Sequence, residues 1–293
     1  MARNFMTAMN TIVKMRDVKL KASLFANYRT GTVLDELLCS YRGLPKGVNY
    51  MIVGDPGVGK TTVILDMLAN IAKNAPGTKM LFISAEMNEI DLAVYVQRYP
   101  KFGNIDIMFI EPDVENKVKH LPLMQKQLNM GWDIVAIDSF NELQGIIKEE
   151  ENFTSHQAES CLLSLIKMHN KAMNEAKLNT TFLTIQQVTK RGNFVGTNRL
   201  KHMITAMMEL RLDNPKNVFS DRYIIFSKHR RGDVGVKLYF NLSTTGDVNY
   251  NETRFNEERR LRHIHSNISS QIRDFANQFD NVINTQNSKN GNH

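Results

Sequence analysis

The stretch "MIVGDPGVGKTTVIL", residues 51–65, sets a glycine turn ending in a lysine and two threonines between a β-type apolar run and a helical one. Gly54, Gly59, Lys60 and Thr61 fit the spacing G-x-x-x-x-G-K-[ST], with the strand before and the helix after that the pattern requires. Glycines let backbone N–H groups turn inward around phosphate oxygens, and the helix N-terminus adds its positive dipole. The cradle therefore spans Gly54, Asp55, Pro56, Gly57, Val58, Gly59, Lys60, Thr61 and Thr62. Lys60 is expected to reach the outer phosphates of a nucleoside triphosphate, and the Thr61 hydroxyl to ligate Mg²⁺. A loop of this kind works only at the carboxyl end of a strand buried in an α/β sheet, which restricts the fold before any other residue is read.

The rest of the chain follows that grammar. "VNYMIVG", "KMLFISAE", "IDIMFI", "DIVAIDS" and "TTFLTIQ" are short β-rich runs, separated by the helical stretches "TTVILDMLANIAKNA", "EIDLAVYVQRY", "ENKVKHLPLMQKQLNM" and "HQAESCLLSLIKMHNKAMNEAK". Alternation of this kind predicts a parallel sheet with crossover helices. "AMMELRLD", "RYIIFSKHR" and "VGVKLYFNL" then follow one another closely, which predicts an antiparallel edge. The expected fold class is α/β, a P-loop NTPase core with a mostly parallel twisted sheet flanked by helices and an antiparallel edge. Helical extensions are expected at both ends.

Four segments result: an N-terminal helical extension over 1–27, an ATPase domain over 28–250, a C-terminal helix over 251–284 and a disordered polar tail over 285–293. The stripe Leu261, Ile264, Ile268, Ile272, Phe275, Phe279 and Val282, at steps of three and four, carries the C-terminal helix.

The net charge of +7 is unevenly placed. Residues 187–237 hold eleven Lys/Arg against four Asp/Glu, and residues 1–30 hold six against one, so the remainder is acidic. Two basic segments on an acidic body suggest a polyanionic partner, although a basic run also serves as a plain solvated face. The two cysteines, Cys39 and Cys161, form no CxxC pattern, so no disulfide framework or zinc site is indicated and a reducing compartment is expected. No apolar run approaches the roughly 18 residues that span a bilayer, so no membrane partner is expected and the protein is placed in the cytoplasm.

Two carboxylates extend the phosphate loop into a candidate active site. Asp138 closes the strand "DIVAIDS", where it can hold the metal; an Asp there also serves as a helix cap. Glu86 closes the strand "LFISAE" at the same sheet edge, where a carboxylate can orient and deprotonate the attacking water. Capping the next helix is the other role open to it, and Glu89 and Asp91 serve that role at least as well.

In this order the motifs resemble RecA-fold ATPases, and most closely the ATPase core of the RadA (Sms) DNA repair and branch-migration family. The likeness runs from about residue 28 to about residue 245. "YRTGTVLDELLCSYRGLPKGVNYMIVGDPGVGKTT" is similar to the family's lead-in and phosphate loop, "LFISAEMNEIDLAVYVQRY" to its S-G-E-E-S stretch, and "IVAIDSFNEL" to its Walker B strand. "VTKRGNFVGTNRLKHMITAMMEL" resembles its V-T-K-E-G-x-I-A-G-P-R-x-L-E-H-M segment, and "SKHRRG" stands where the family has K-N-R-F-G. The family's zinc module and Lon-like domain have no counterpart, which suggests a bare, minimal core of viral type. "SKHRRGDVGVKLYF" resembles DnaB-type helicases equally well, and Gln187 stands where those proteins, and not RadA, carry Gln.

The resemblance implies roles for residues that spacing alone leaves unassigned. Gln187 is placed to sense the γ-phosphate and pass its presence to the loop "KRGNFVGTNRLK", residues 190–201. There Lys190, Arg191, Arg199 and Lys201 offer phosphate contacts and Phe194 offers a stacking or wedging ring for single-stranded or branched DNA. The first DNA-facing loop of such folds is expected directly after Asp138, but "KEEEN" makes it too acidic for phosphate. Lys228 and Arg230 are expected to reach a neighbour's ATP, which makes the enzyme a homo-oligomer and a hexameric ring; the alternative is that they meet DNA directly. The implied function is an ATP-dependent DNA motor, with an ATP-gated DNA-binding or loading protein and a clock-type signalling ATPase as the other readings.

Overall fold

The computed structural model describes residues 14–17, 22–112, 119–187, 198–217, 219–262 and 264. Nine strands form one sheet in the order β3-β2-β4-β5-β1-β6-β7-β8-β9. They are β1 Asn49–Gly54, β2 Met80–Ser84, β3 Asp106–Phe109, β4 Ile134–Asp138, β5 Thr181–Gln187, β6 Ala206–Leu212, β7 Arg222–His229, β8 Leu238–Leu242 and β9 Val248–Tyr250. Helices α1 Leu34–Leu38, α2 Lys60–Asn74, α3 Glu89–Arg98, α4 His120–Asn129, α5 Phe140–Glu150, α6 Ser155–Asn170 and α7 Asn198–Met203 connect or flank them.

β1 lies at the middle of the sheet, paired in parallel with β5 and β6, and every one of its residues is buried. Side chains alternate across a strand, so a strand covered on both faces is apolar over most of its length. Tyr50 and Ile52 pack on one face with Val63, Ile64 and Leu68 of α2, whereas Met51 and Val53 pack on the other with Leu143 of α5 and Leu162 and Ile166 of α6. Two cores on either side of one sheet thus hold the end of β1 in place.

From β6 to β9 each successive pair is antiparallel, as the close spacing of those strands predicts, while β6 itself runs parallel to β1. The expected loop after Asp138 is instead α5. "KEE" forms its last residues, and its side chains Phe140, Leu143, Ile146 and Ile147 are buried. The apolar 3-4 spacing in "FNELQGIIK" is the helical signal there, and the acidic run masks it. α6 begins at Ser155 behind a capping box from Thr154 and Gln157 and stops at Asn170, seven residues short of the expected end at 177.

Of the expected N-terminal extension, the described residues form two single 3-10 turns, Met15–Asp17 and Ala22–Phe25. Residues 252–262 of the expected C-terminal helix are helical, and the tail over 285–293 lies outside the described residues. This helix docks through Phe255, which is 1% exposed, with the Arg254 guanidinium 3.2 Å from the centre of the Tyr239 ring and Arg259 bonded to Glu36. Phe255→Ala is therefore expected to cost about 3–5 kcal/mol in chemical denaturation, the range for emptying a buried aromatic site. A loss under about 1 kcal/mol would show that the helix adds little to the fold.

Candidate active site

The register of the parallel strands brings their carboxyl ends to one edge. Gly54 lies level with Gln187 of β5, and Ser84 of β2 with Asp138 of β4. At this edge a cavity of about 410 Å³ is lined by the phosphate loop together with Glu86, Tyr95, Asp138, Gln187 and Leu242.

The loop is shaped by contacts no larger residue tolerates. A Cβ on Gly54 would sit 2.4 Å from the Leu210 carbonyl oxygen of β6. Gly59 is left-handed (φ 100°), and a Cβ there would meet Leu242 Cδ1 at 2.7 Å. α2 starts at Lys60 with Gly59 as its N-cap and no side chain bonding its first N–H groups, which leaves those donors and the helix dipole to an anion.

Lys60 folds back over the loop, its Nζ donating to the carbonyl oxygens of Gly54 at 2.9 Å and Asp55 at 3.0 Å. Burial lowers its pKa from the ordinary lysine value, against the pull of Asp138, Glu86 and Asp55. Thr61 Oγ1 donates to Asp138 Oδ2 at 2.5 Å. Asp138 is 2% exposed, and its Oδ1 is buried with no hydrogen-bond partner among the described residues. Burial raises its pKa from 3.8 to about 6; Glu86 adds to the rise, and Thr61 and Lys60 oppose it. A buried carboxylate with an unpaired oxygen beside a threonine hydroxyl is a donor set suited to a hard cation such as Mg²⁺.

The capping alternatives are resolved by other side chains. Ser139 is the N-cap of α5 and accepts from Glu142 N–H, so Asp138 has no capping bond to make. Asn88 is the N-cap of α3, accepting from Asp91 N–H at 2.8 Å, and Glu89 and Asp91 occupy the first turn rather than the cap. Glu86 lies two residues past the end of β2, exposed at the rim of the cavity.

Three features of this edge are not marked by any motif. Tyr95 of α3 places its hydroxyl 2.5 Å from Thr62 Oγ1 and lines the cavity. Leu242 of β8 closes over Gly59. Arg211 of β6 reaches to 3.9 Å from Asp55 of the loop while bonding Glu209 at 2.8 Å. Each depends on contacts between segments remote in sequence, which no local pattern carries.

The remaining expected residues sit elsewhere. Lys190, Arg191 and Phe194 lie outside the described residues, and Arg199 and Lys201 fall on α7. Lys228 pairs in register with Met207, which in turn pairs with Met51, so Lys228 and the adjoining Arg230 lie at the edge of the sheet opposite the cavity. There both hold α7: Lys228 Nζ donates to the Lys201 carbonyl, and Arg230 Nη2 to the His202 carbonyl at 2.8 Å. Cations at the last carbonyls of a helix complement its dipole.

A family profile described as "ATPase: KaiC" matches residues 28–248. The DNA repair protein RadA of Campylobacter jejuni is 26% identical over 235 residues, covering 80% of this chain and 48% of that protein. RadA of Rickettsia bellii is 26% identical over 205 residues, covering 70% and 42%. The chain thus spans less than half the length of these curated relatives, which are bacterial and lend no support to a viral origin. Among solved structures, a KaiC-like protein from Pyrococcus horikoshii superposes with a TM-score of 0.57 at 20% identity, covering 76% of this chain and 98% of that one. This likeness identifies the RecA-type fold. Among the described residues no helix is long and apolar enough to cross a membrane.

The raised pKa of Asp138 has a signed consequence for the metal-free protein. The folded state holds this proton up to about pH 6, whereas an unfolded Asp releases it near pH 4, so the site loses stability as pH rises through that window. Asp138→Asn removes the penalty. Denaturant unfolding in chelator is expected to find the variant ~2–3 kcal/mol more stable than wild type at pH 7.5, with the gap closing towards pH 4. A gap independent of pH would contradict the assignment.

Proposed function

The chain belongs to the KaiC ATPase family, and from that premise we propose that it hydrolyses ATP and uses the cycle to move on or remodel single-stranded or branched DNA as an oligomeric ring, in the manner of a helicase or branch-migration motor. The observation that carries the proposal is the convergence of Lys60, Thr61, Asp138, Glu86 and Gln187 on one cavity. The curated relatives named as DNA repair proteins support the choice of DNA.

The roles follow from position. An incoming triphosphate offers Lys60 better acceptors than the two carbonyls it now bonds, so its ammonium transfers to the outer phosphates. Thr61 and Asp138 would hold Mg²⁺, whose charge offsets that on the phosphoryl oxygens. Glu86 at the rim orients the attacking water and takes its proton. Gln187 ends β5 at the cavity, three residues before the basic segment that begins at Lys190, so γ-phosphate contact at Gln187 and DNA contact at Lys190, Arg191, Phe194, Arg199 and Lys201 are linked by a short length of backbone. Lys228 and Arg230 complete the site in trans, because their edge of the sheet faces away from their own cavity. An arginine supplied this way is worth about three to five decades of rate. The segment 28–250 is the ATPase unit in this reading.

Steady-state assays with forked DNA test it. Lys60→Ala is expected to lower ATP turnover by at least about a hundredfold, the scale for removing a charge stabiliser of the transferring phosphoryl. Arg191→Ala with Phe194→Ala is expected to abolish stimulation by DNA, and mixing Lys60→Ala with Arg230→Ala subunits to restore part of the activity that each lacks alone. Wild-type rates from each variant would refute the mechanism. ATP-dependent DNA binding without strand separation or branch movement would reduce the motor to an ATP-gated loading protein.

A further inference from the structure

Three elements that wall the nucleotide cavity meet again behind it. α2 supplies Thr61 and Thr62, α3 supplies Tyr95, and β8 supplies Leu242. The Lys101 ammonium, on the 3-10 turn Pro100–Phe102 that follows α3, lies 2.5 Å from Asp66 Oδ1 of α2 and 2.6 Å from Asp247 Oδ1 of the turn between β8 and β9. Asp66 is 2% exposed, and its carboxylate also accepts from Asn70 Nδ2 and from the Val248 backbone. Burial pushes its pKa up and Lys101 opposes the rise. A carboxylate is held in such a place only where a cation and hydrogen bonds replace its water.

The three elements are anchored unequally. α2 is fixed by its own buried face, Val63, Ile64, Leu65 and Leu68, whereas no residue of α3 is buried. The turn between β8 and β9 is closed on itself, Ser243 N–H donating to the Asp247 carbonyl and Thr245 Oγ1 to Asp247 Oδ2, and Thr244, Thr245 and Asp247 are exposed. Aromatic rings carry the constraint from Lys101 towards the cavity. Phe102 stacks on Tyr95 at 5.9 Å between centroids, and Tyr99 meets Tyr95 edge-on at 4.8 Å. Gly246 lies so close to Tyr99 that a Cβ there would sit 2.7 Å from Tyr99 Cδ1. Tyr95 in turn bonds Thr62, and Leu242, five residues before Asp247, closes over Gly59.

We infer that Lys101 is a positioning residue of the nucleotide site: by joining Asp66 to Asp247 it ties α3 and the β8–β9 turn to α2, and so fixes Tyr95 and Leu242, against which the nucleoside seats. The inference rests on the proposed nucleotide-binding reading and adds to it the contact that sets nucleoside affinity. Lys60, Thr61 and Asp138 suit the phosphates and the metal, so the ring of Tyr95 and the apolar chains of Met87 and Leu242 are left for the rest of the ligand. Fixing those side chains in advance removes the cost of ordering them when the ligand arrives. Lys101 does not itself line the cavity. The phosphate end is held separately, by the bonds from Lys60 to Gly54 and Asp55 and from Thr61 to Asp138, so loss of Lys101 acts on the nucleoside end alone.

Removing the ammonium by itself would strand the buried Asp66 charge, so the test pairs Lys101→Met with Asp66→Asn and uses Lys101→Arg as the conservative variant. The full chain with Mg²⁺ is assayed for steady-state turnover and titrated by calorimetry with a nonhydrolysable ATP analogue and, separately, with inorganic tripolyphosphate. The double variant is expected to raise KM for ATP and weaken the analogue at least about tenfold, with kcat within about twofold and tripolyphosphate affinity unchanged. Lys101→Arg is expected to restore wild-type constants. Asp247→Asn, at an exposed position, is expected to weaken the analogue by a smaller factor and reads the same contact should melts show the double variant unfolded. Equal losses for analogue and tripolyphosphate, a fall in kcat at constant KM, or wild-type constants in the absence of either contact would overturn the inference. The predicted binding pattern without ATP hydrolysis would sink the ATPase reading and leave this one standing. A wild-type chain that binds neither ligand would overturn both.

Discussion

The bond from Thr61 to Asp138 ties the phosphate loop to the neighbouring half of the sheet. It joins the first turn of α2 to the end of β4, across strands that are not adjacent, and does so with a carboxylate that is 2% exposed. Burying a charge with one oxygen unpaired is unfavourable, and the pKa of about 6 expresses that cost. The fold tolerates it because β1, β4 and β5 are covered on both faces and their parallel register brings the carboxyl ends to one edge. Residues that a cation and a triphosphate would satisfy are thus held ready by packing that needs neither.

The two edges of the sheet divide the work. At the carboxyl edge, Lys60 is folded onto its own loop; at the amino edge, Lys228 and Arg230 are folded onto the last carbonyls of α7. Both are cations bound to neutral acceptors, and an anion competes well for either. In the proposed assembly one triphosphate, between two copies, would draw on both sets. Its arrival would loosen the helix that carries Arg199 and Lys201 in the neighbour, so in that proposal ATP state and grip on DNA would be linked through α7.

Much of this was legible in the sequence, and the reasons differ by element. Gly54, Gly59, Lys60 and Thr61 are readable because the loop's geometry depends on residue type at fixed spacing. Asp138 is readable because it closes a buried strand downstream of the phosphate loop, but its release from capping duty is visible only through Ser139. α5 was hidden because "KEEEN" advertises a polar loop, while the burial of Phe140, Leu143 and Ile147 comes from packing on α6 and the sheet. Tyr95, Leu242 and Arg211 reach the loop from segments 33 to 183 residues from Thr62, Gly59 and Asp55, distances over which sequence pattern carries no signal. Lys228 and Arg230 stood out by resemblance, but their grip on α7 is a tertiary fact.

The most direct measurement is cryo-electron microscopy of the chain with Mg²⁺, a nonhydrolysable ATP analogue and forked DNA. The account predicts the triphosphate seated on the amides of residues 57–62 with Lys60 drawn off the Gly54 and Asp55 carbonyls, a cation between Thr61 and Asp138, and Arg230 of the adjacent copy at the phosphates. A triphosphate bound away from this cavity, or a nucleotide-loaded site with Lys60 still on its own loop and no second copy beside it, would contradict the account.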